Sequence, residues 1–146
     1  MPVSDLDNER FAHLVYLLER RFRRALERQL EPHGVPFGHW AFLRILWAEE
    51  GLSQKELADR TGLTTPTVHA AVTKMEEHGL IVRKVPEGNT TRPLVYLTER
   101  GRELRTVLEP LAISTNAAAT VGISADDLAT TKATLLRMMA QLARIG

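Results

Sequence analysis

The chain has 146 residues, 44% of them hydrophobic and 25% charged, which is material for one packed domain and too apolar for a disordered chain. It has no cysteine, which excludes disulfides, thiolate metal sites, cysteine nucleophiles and thiol redox sensing together. Nineteen Lys and Arg nearly cancel eighteen Asp and Glu. Bases against acids run seven to eight in residues 1–50, seven to six in 51–100 and five to four in 101–146, so charge alone does not point to nucleic acid.

No apolar run approaches the ~18 residues that a bilayer requires. The start, MPVSDLDNERF, carries acids where a signal peptide would carry a basic segment. A cytoplasmic protein without a membrane partner is expected.

From Ser4 to Leu30, steps of three and four link Phe11, Leu14, Leu18, Phe22, Ala25 and Leu26 into one stripe of a long helix. Arg20, Arg21, Arg23, Arg24 and Arg28 interleave with Glu19, Glu27 and Glu31, as on a solvated helix face. Pro32, Gly34 and Pro36 end that helix, and a second is predicted over Phe37 to Glu49, carrying Trp40, Phe42, Leu43, Leu46 and Trp47.

Ser53-Gln54-Lys55-Glu56 is a capping box, in which serine and glutamate satisfy each other's backbone donors. It opens a short helix that ends near Thr61-Gly62. Thr64 caps the next, with Pro66 in its first turn where no amide hydrogen is needed. Val68, Val72 and Met75 form its inward stripe, and Gly79 ends it. The period then switches to two short β-prone runs, Leu80 to Val85 and Leu94 to Leu97, around a turn-rich loop over 86–93. Thr98 caps a helix with Leu104, Val107, Leu108 and Leu111, which Pro110 is expected to kink, and Ser124 caps a last one with Leu128, Leu135, Met138, Met139 and Leu142.

Two short helices joined by a glycine turn and followed by a hairpin predict a winged helix-turn-helix within a mainly α fold. A helix enters a major groove only if its outer face is slim and polar. Residues 64–78 offer such a face in Thr65, Thr67, His69, Ala70, Thr73 and Lys74. With Ser53, Thr64 and Pro66 at the helix starts, and Arg83 and Arg92 on the wing, they make up the expected DNA-binding set.

The runs Leu52-Ser53-Gln54-Lys55-Glu56-Leu57-Ala58, Leu63-Thr64-Thr65-Pro66-Thr67-Val68, Gly79-Leu80-Ile81 and Val95-Tyr96-Leu97-Thr98-Glu99-Arg100-Gly101 resemble the MarR family of bacterial transcriptional regulators. The resemblance implies a homodimer that acts as a repressor, whose terminal helices interlock and whose recognition helices and wings grip a palindromic duplex. It sets residues 1–146 as one domain, with a DNA-binding lobe over 37–98 and dimerisation helices over 4–31 and 99–146. It further implies a small aromatic effector near the first two helices, for which His13, Tyr16 and Trp40 are the candidates; Trp40 and Trp47 also fit a plain core reading. Two features depart from the family pattern. Asn89, Thr90 and Thr91 stand where members commonly carry Asp-Arg-Arg, and Ala70 stands where arginine is frequent.

No serine, histidine and acid arrangement activates a nucleophile, no glycine-rich phosphate loop appears, and the histidine spacing suggests no metal or other cofactor. The expectation is a non-enzymatic DNA-binding regulator. The rival reading is a winged-helix module that binds a protein partner without specific DNA contact, which the neutral charge balance and uncharged wing tip favour.

Overall fold

A computed structural model describes residues 2–88 and 92–146. A 3-10 turn at Val3–Leu6 precedes α1 (Phe11–Leu30) and α2 (Phe37–Ala48). Then come β1 (Leu52–Ser53), α3 (Gln54–Thr61), α4 (Thr65–Glu77), β2 (Ile81–Lys84), β3 (Leu94–Leu97), α5 (Glu99–Ala119) and α6 (Ala125–Ile145). The three strands form an antiparallel sheet in the order β1-β3-β2. This is the mainly helical winged fold that the sequence implies. No helix of the described residues is long and apolar enough to cross a membrane.

The first helix is shorter than the expected span from Ser4, although it covers the whole apolar stripe from Phe11. It starts at Phe11 rather than Ser4, because residues 2–9 turn back on themselves through Asp5 N–H to Pro2 O (3.1 Å) and Glu9 N–H to Leu6 O (3.0 Å). Leu6 within that turn is buried. Only Leu26 and Leu30 of α1 are buried, while Phe11 is 73% exposed.

The core lies in the middle of the chain. Phe42, Leu43 and Leu46 of α2 meet Leu57 of α3, Val68, Val72 and Met75 of α4, and Val95 and Leu97 of β3. Capping positions these elements. Ser53 Oγ accepts from Glu56 N–H while Glu56 Oε1 accepts from Ser53 N–H, and Thr64, Thr98 and Ser124 each accept an amide in the next first turn.

At the far end of α4, Gly79 turns left-handed (φ +73°). Leu80 N–H then reaches Met75 O and Gly79 N–H reaches Glu76 O, both at 3.0 Å, so the chain leaves α4 directly into β2. β1 has no counterpart in the sequence reading. Its two residues pair Leu52 with Val95 and Ser53 with Leu94.

α5 runs unbroken through Pro110 to Ala119 and lies against α1. α6 has no buried residue at all. Leu142 and Met139 are each 62% exposed and Ile145 is 83% exposed, leaving an apolar face that its own subunit does not cover.

Candidate nucleic-acid interface

α4 carries the site, and its two faces differ sharply. Val68, Val72 and Met75 are at most 1% exposed, whereas Thr65, Pro66, Thr67, His69, Ala70 and Lys74 all face outward. At its start, Thr64 Oγ1 accepts from Thr67 N–H (3.4 Å) and shares a hydrogen bond with Thr67 Oγ1 (2.9 Å). The first-turn amides of such a helix favour an anion at this end. His69 Nδ1 lies 3.0 Å from Gln54 Oε1, which ties the outer face of α4 to the first residue of α3. That link sets the ring's orientation, and nothing in the local sequence pattern announced it.

Three of the expected contact residues have other surroundings. Ser53 is half-buried in β1, and its hydroxyl holds the α3 cap. Thr73 is also half-buried, and its Oγ1 is enclosed without a hydrogen-bond partner among the described residues. Arg83 grips Glu76 of α4, with Nη2 to Oε1 and its own N–H to Oε2 both at 3.0 Å. The Arg83 guanidinium, then its amide, hold the Glu76 carboxyl below the usual carboxylate range. Arg83 therefore braces the wing against α4. Lys84, the next residue, is exposed with its Nζ 5.8 Å from the Tyr96 ring centre. Arg92 is exposed on the wing, and Asn89, Thr90 and Thr91 lie outside the described residues.

The three candidate effector residues do not converge within one subunit. His13 and Tyr16 stack on the exposed side of α1, ring centres 6.2 Å apart, with Arg20 over the Tyr16 ring. Trp40 is 7% exposed and meets Trp47 edge-on at 5.6 Å. Trp47 in turn donates its indole N–H to Gly101 O (2.9 Å). One edge of Trp40 does line a cleft of about 360 Å³ between α1, α2 and α5, with Phe22, Arg23, Phe37, Arg44 and Asn116. Among the described residues no group of three His, Cys, Asp or Glu side chains is arranged to hold a metal ion.

A family model described as "MarR family" matches residues 33–92, the segment from the end of α1 through the wing. The HTH-type transcriptional regulator TtmR of Methylorubrum extorquens (strain PA1) is 31% identical over 91 residues, which are 62% of this chain and 47% of that protein. The chain thus matches about half the length of that relative. A MarR transcriptional regulator from Methanosarcina mazei Go1 has the same fold with a TM-score of 0.84 at 23% identity, covering 96% of this chain and 94% of that one. A putative MarR family transcriptional regulator from Listeria monocytogenes, solved in complex with a 26mer DNA, superposes with a TM-score of 0.86 at 19% identity, covering 93% and 91%. Residues 33–92 thus match the MarR family model, and the chain shares the fold of solved MarR-family regulators over more than nine-tenths of its length.

Proposed function

We propose that the protein is a homodimeric transcriptional regulator, acting as a repressor, that binds a palindromic duplex DNA site through α4 and the wing. One observation carries the reading: an outer face of small and polar side chains from Thr65 to Lys74, backed by a fully buried stripe. Such a rod fits a major groove because nothing on its outer side is wider than an imidazole or a lysine. Thr65, Thr67, His69 and Lys74 are the contacts proposed there, with Thr64 and Pro66 setting the helix start and Arg92 on the wing. Support comes from relatives too, since TtmR is named a transcriptional regulator and the Listeria protein was solved with DNA.

Residues 37–98 form the proposed DNA-binding lobe, and residues 4–31 and 99–146 the dimerisation part. The uncovered face of α6 supports that division. Two symmetric subunits would offer their recognition helices to half-sites about one helical turn apart. The cleft beside Trp40, with Arg23 and Arg44 at its walls, suits a small aromatic acid, which would act by binding one arrangement of the lobes better than another.

Selection from random duplex DNA by the full-length protein tests the reading. The enriched sequences should form an inverted repeat with half-sites about one turn apart. Replacing Thr67 and Lys74 with alanine should weaken binding without unfolding the protein. It should also flatten the salt dependence by about two units of slope per dimer, one for each lost lysine–phosphate contact. No enrichment would end the DNA reading and favour a protein partner, while a double variant that binds like the parent would refute the assignment of the contact face.

A further inference from the structure

The fold brings together two histidines that stand far apart in the chain. His39, in the first turn of α2, is 5% exposed, and its Nδ1 is enclosed without a hydrogen-bond partner among the described residues. Its ring meets His78 edge-on, with centres 5.4 Å apart and planes at 62°. His78 is the C-cap of α4, and its carbonyl accepts a hydrogen bond from Arg100 Nη1 (3.0 Å) at the start of α5. A cavity of about 400 Å³ opens beside the pair, lined also by His33, Glu77 and Arg100. Its fixed charges, Arg100 and Glu77, cancel. It therefore admits water and protons without favouring an ion of either sign.

We propose that the His39–His78 contact is an acid-sensitive latch, closed while His39 is neutral and released when His39 takes up a proton, freeing the C-terminal end of the recognition helix from α2. Its consequence for regulation rests on the DNA-binding reading above; the latch itself does not.

The physical case is one of unmet donors and like charges. A neutral imidazole carries one N–H, but an imidazolium carries two, and among the described residues the enclosed Nδ1 has no acceptor for the second. The groups that face His39 offer little compensation. Lys74, Glu77 and His78 come from α4, His33 from the loop after α1, and Arg100 from α5, while β2 is preceded by the apolar Leu80. Glu77 is the one acid among them. Burial first, then His78 and Lys74, push His39 below its ordinary value near 6.5.

The sign follows from that direction. The closed latch binds fewer protons than the open one, so closure is fully favoured above pH 6.5 and weakens as the pH falls below it. For a single proton, the opening constant rises by up to about tenfold per pH unit.

Hydrogen exchange on the full-length protein at pH 7.5, 6.5 and 5.5, corrected for intrinsic exchange rates, reads this directly. Protection of amides 76–81 in the parent should fall by up to about fivefold between pH 6.5 and 5.5. His39→Phe should show no such fall, and His39→Leu serves if the larger ring does not fit. Flat protection in the parent, or an equal fall in both variants, overturns the latch whatever DNA does. On the selected duplex, the parent should lose affinity over the same interval and the variants should not. Protection that responds while no duplex binds at any pH refutes the DNA reading and leaves the latch standing. Protection that responds while affinity stays constant refutes the regulatory link.

Discussion

Gly101 lies where α5 leaves the three-stranded sheet, and Gly101→Ala measures how rigid that junction is. Its N–H donates to Thr98 Oγ1 (3.1 Å), its carbonyl accepts the Trp47 indole N–H (2.9 Å), and it is buried. A Cβ here would overlap the Leu80 carbonyl oxygen and stand 3.2 Å from the Leu80 carbonyl carbon and 3.1 Å from Leu97 Cδ2. The carbonyl cannot simply swing aside, because it accepts the Thr98 N–H at 3.0 Å, the bond that leads β3 into α5. Two effects oppose each other. Alanine favours helix over glycine by about 1 kcal/mol, an upper limit in a first turn, while forcing a methyl against fixed backbone costs about 1–3 kcal/mol or more. The clash wins, and we expect a net loss of about 2 kcal/mol. For a chain of this size that lowers Tm by roughly 4–8 °C, read by calorimetry at a fixed protomer concentration. A variant that melts at or above the parent would refute the claim of a rigid contact between α5 and Leu80.

Glu50→Ala should destabilise by about 1–3 kcal/mol at pH 7, since Glu50 Oε1 is the acceptor for the buried Leu97 N–H (2.8 Å). Hydrogen bonds from Arg102 foremost, then the Leu97 amide, hold Glu50 below its ordinary 4.5, so the parent's advantage in urea midpoint is full above pH 4.5 and shrinks as the pH falls below it. Leu135→Glu with Leu142→Glu on the uncovered face of α6 should give a folded monomer by sedimentation. Four lost leucine burials per dimer amount to roughly 6–12 kcal/mol, and a variant that still sediments as a dimer would place the interface elsewhere.

The sequence carried what is local. Ser53, Thr64, Thr98 and Ser124 were readable as caps because each satisfies an amide only three residues away, and all four do so. The stripe of α4 was readable for the same reason: its period is a property of one helix. What escaped is tertiary. β1 is two residues long and exists only because Val95 and Leu94 arrive beside it. Thr73 sits at a position that helical spacing assigns to the outer face, yet neighbouring elements partly cover it. Charge counting could not show that Arg83, Arg100 and Arg102 meet Glu76, the His78 carbonyl and Glu50 within the subunit. Several basic side chains thus serve as internal braces, while Lys74 stays exposed on the outer face of α4.

Those braces concentrate at one place, the first two turns of α5. Arg100 reaches the C-cap of α4, Gly101 abuts Leu80 and accepts from Trp47, Arg102 holds Glu50 beside β3, and Arg105 Nη1 donates to Trp47 O (3.3 Å). The other half of the same helix lines the cleft beside Trp40 through Ala112, Thr115 and Asn116. One continuous helix therefore touches both the end of α4 and the cleft. A helix is stiff along its axis, so a tilt imposed at Thr115 must appear at Arg100 unless the helix bends between them. Pro110 is the one residue there that removes a backbone hydrogen bond, and so the one place where such bending is cheap. Coupling between the cleft and α4 should thus be weaker than an all-donor α5 would allow, because part of any tilt at the cleft ends at Pro110.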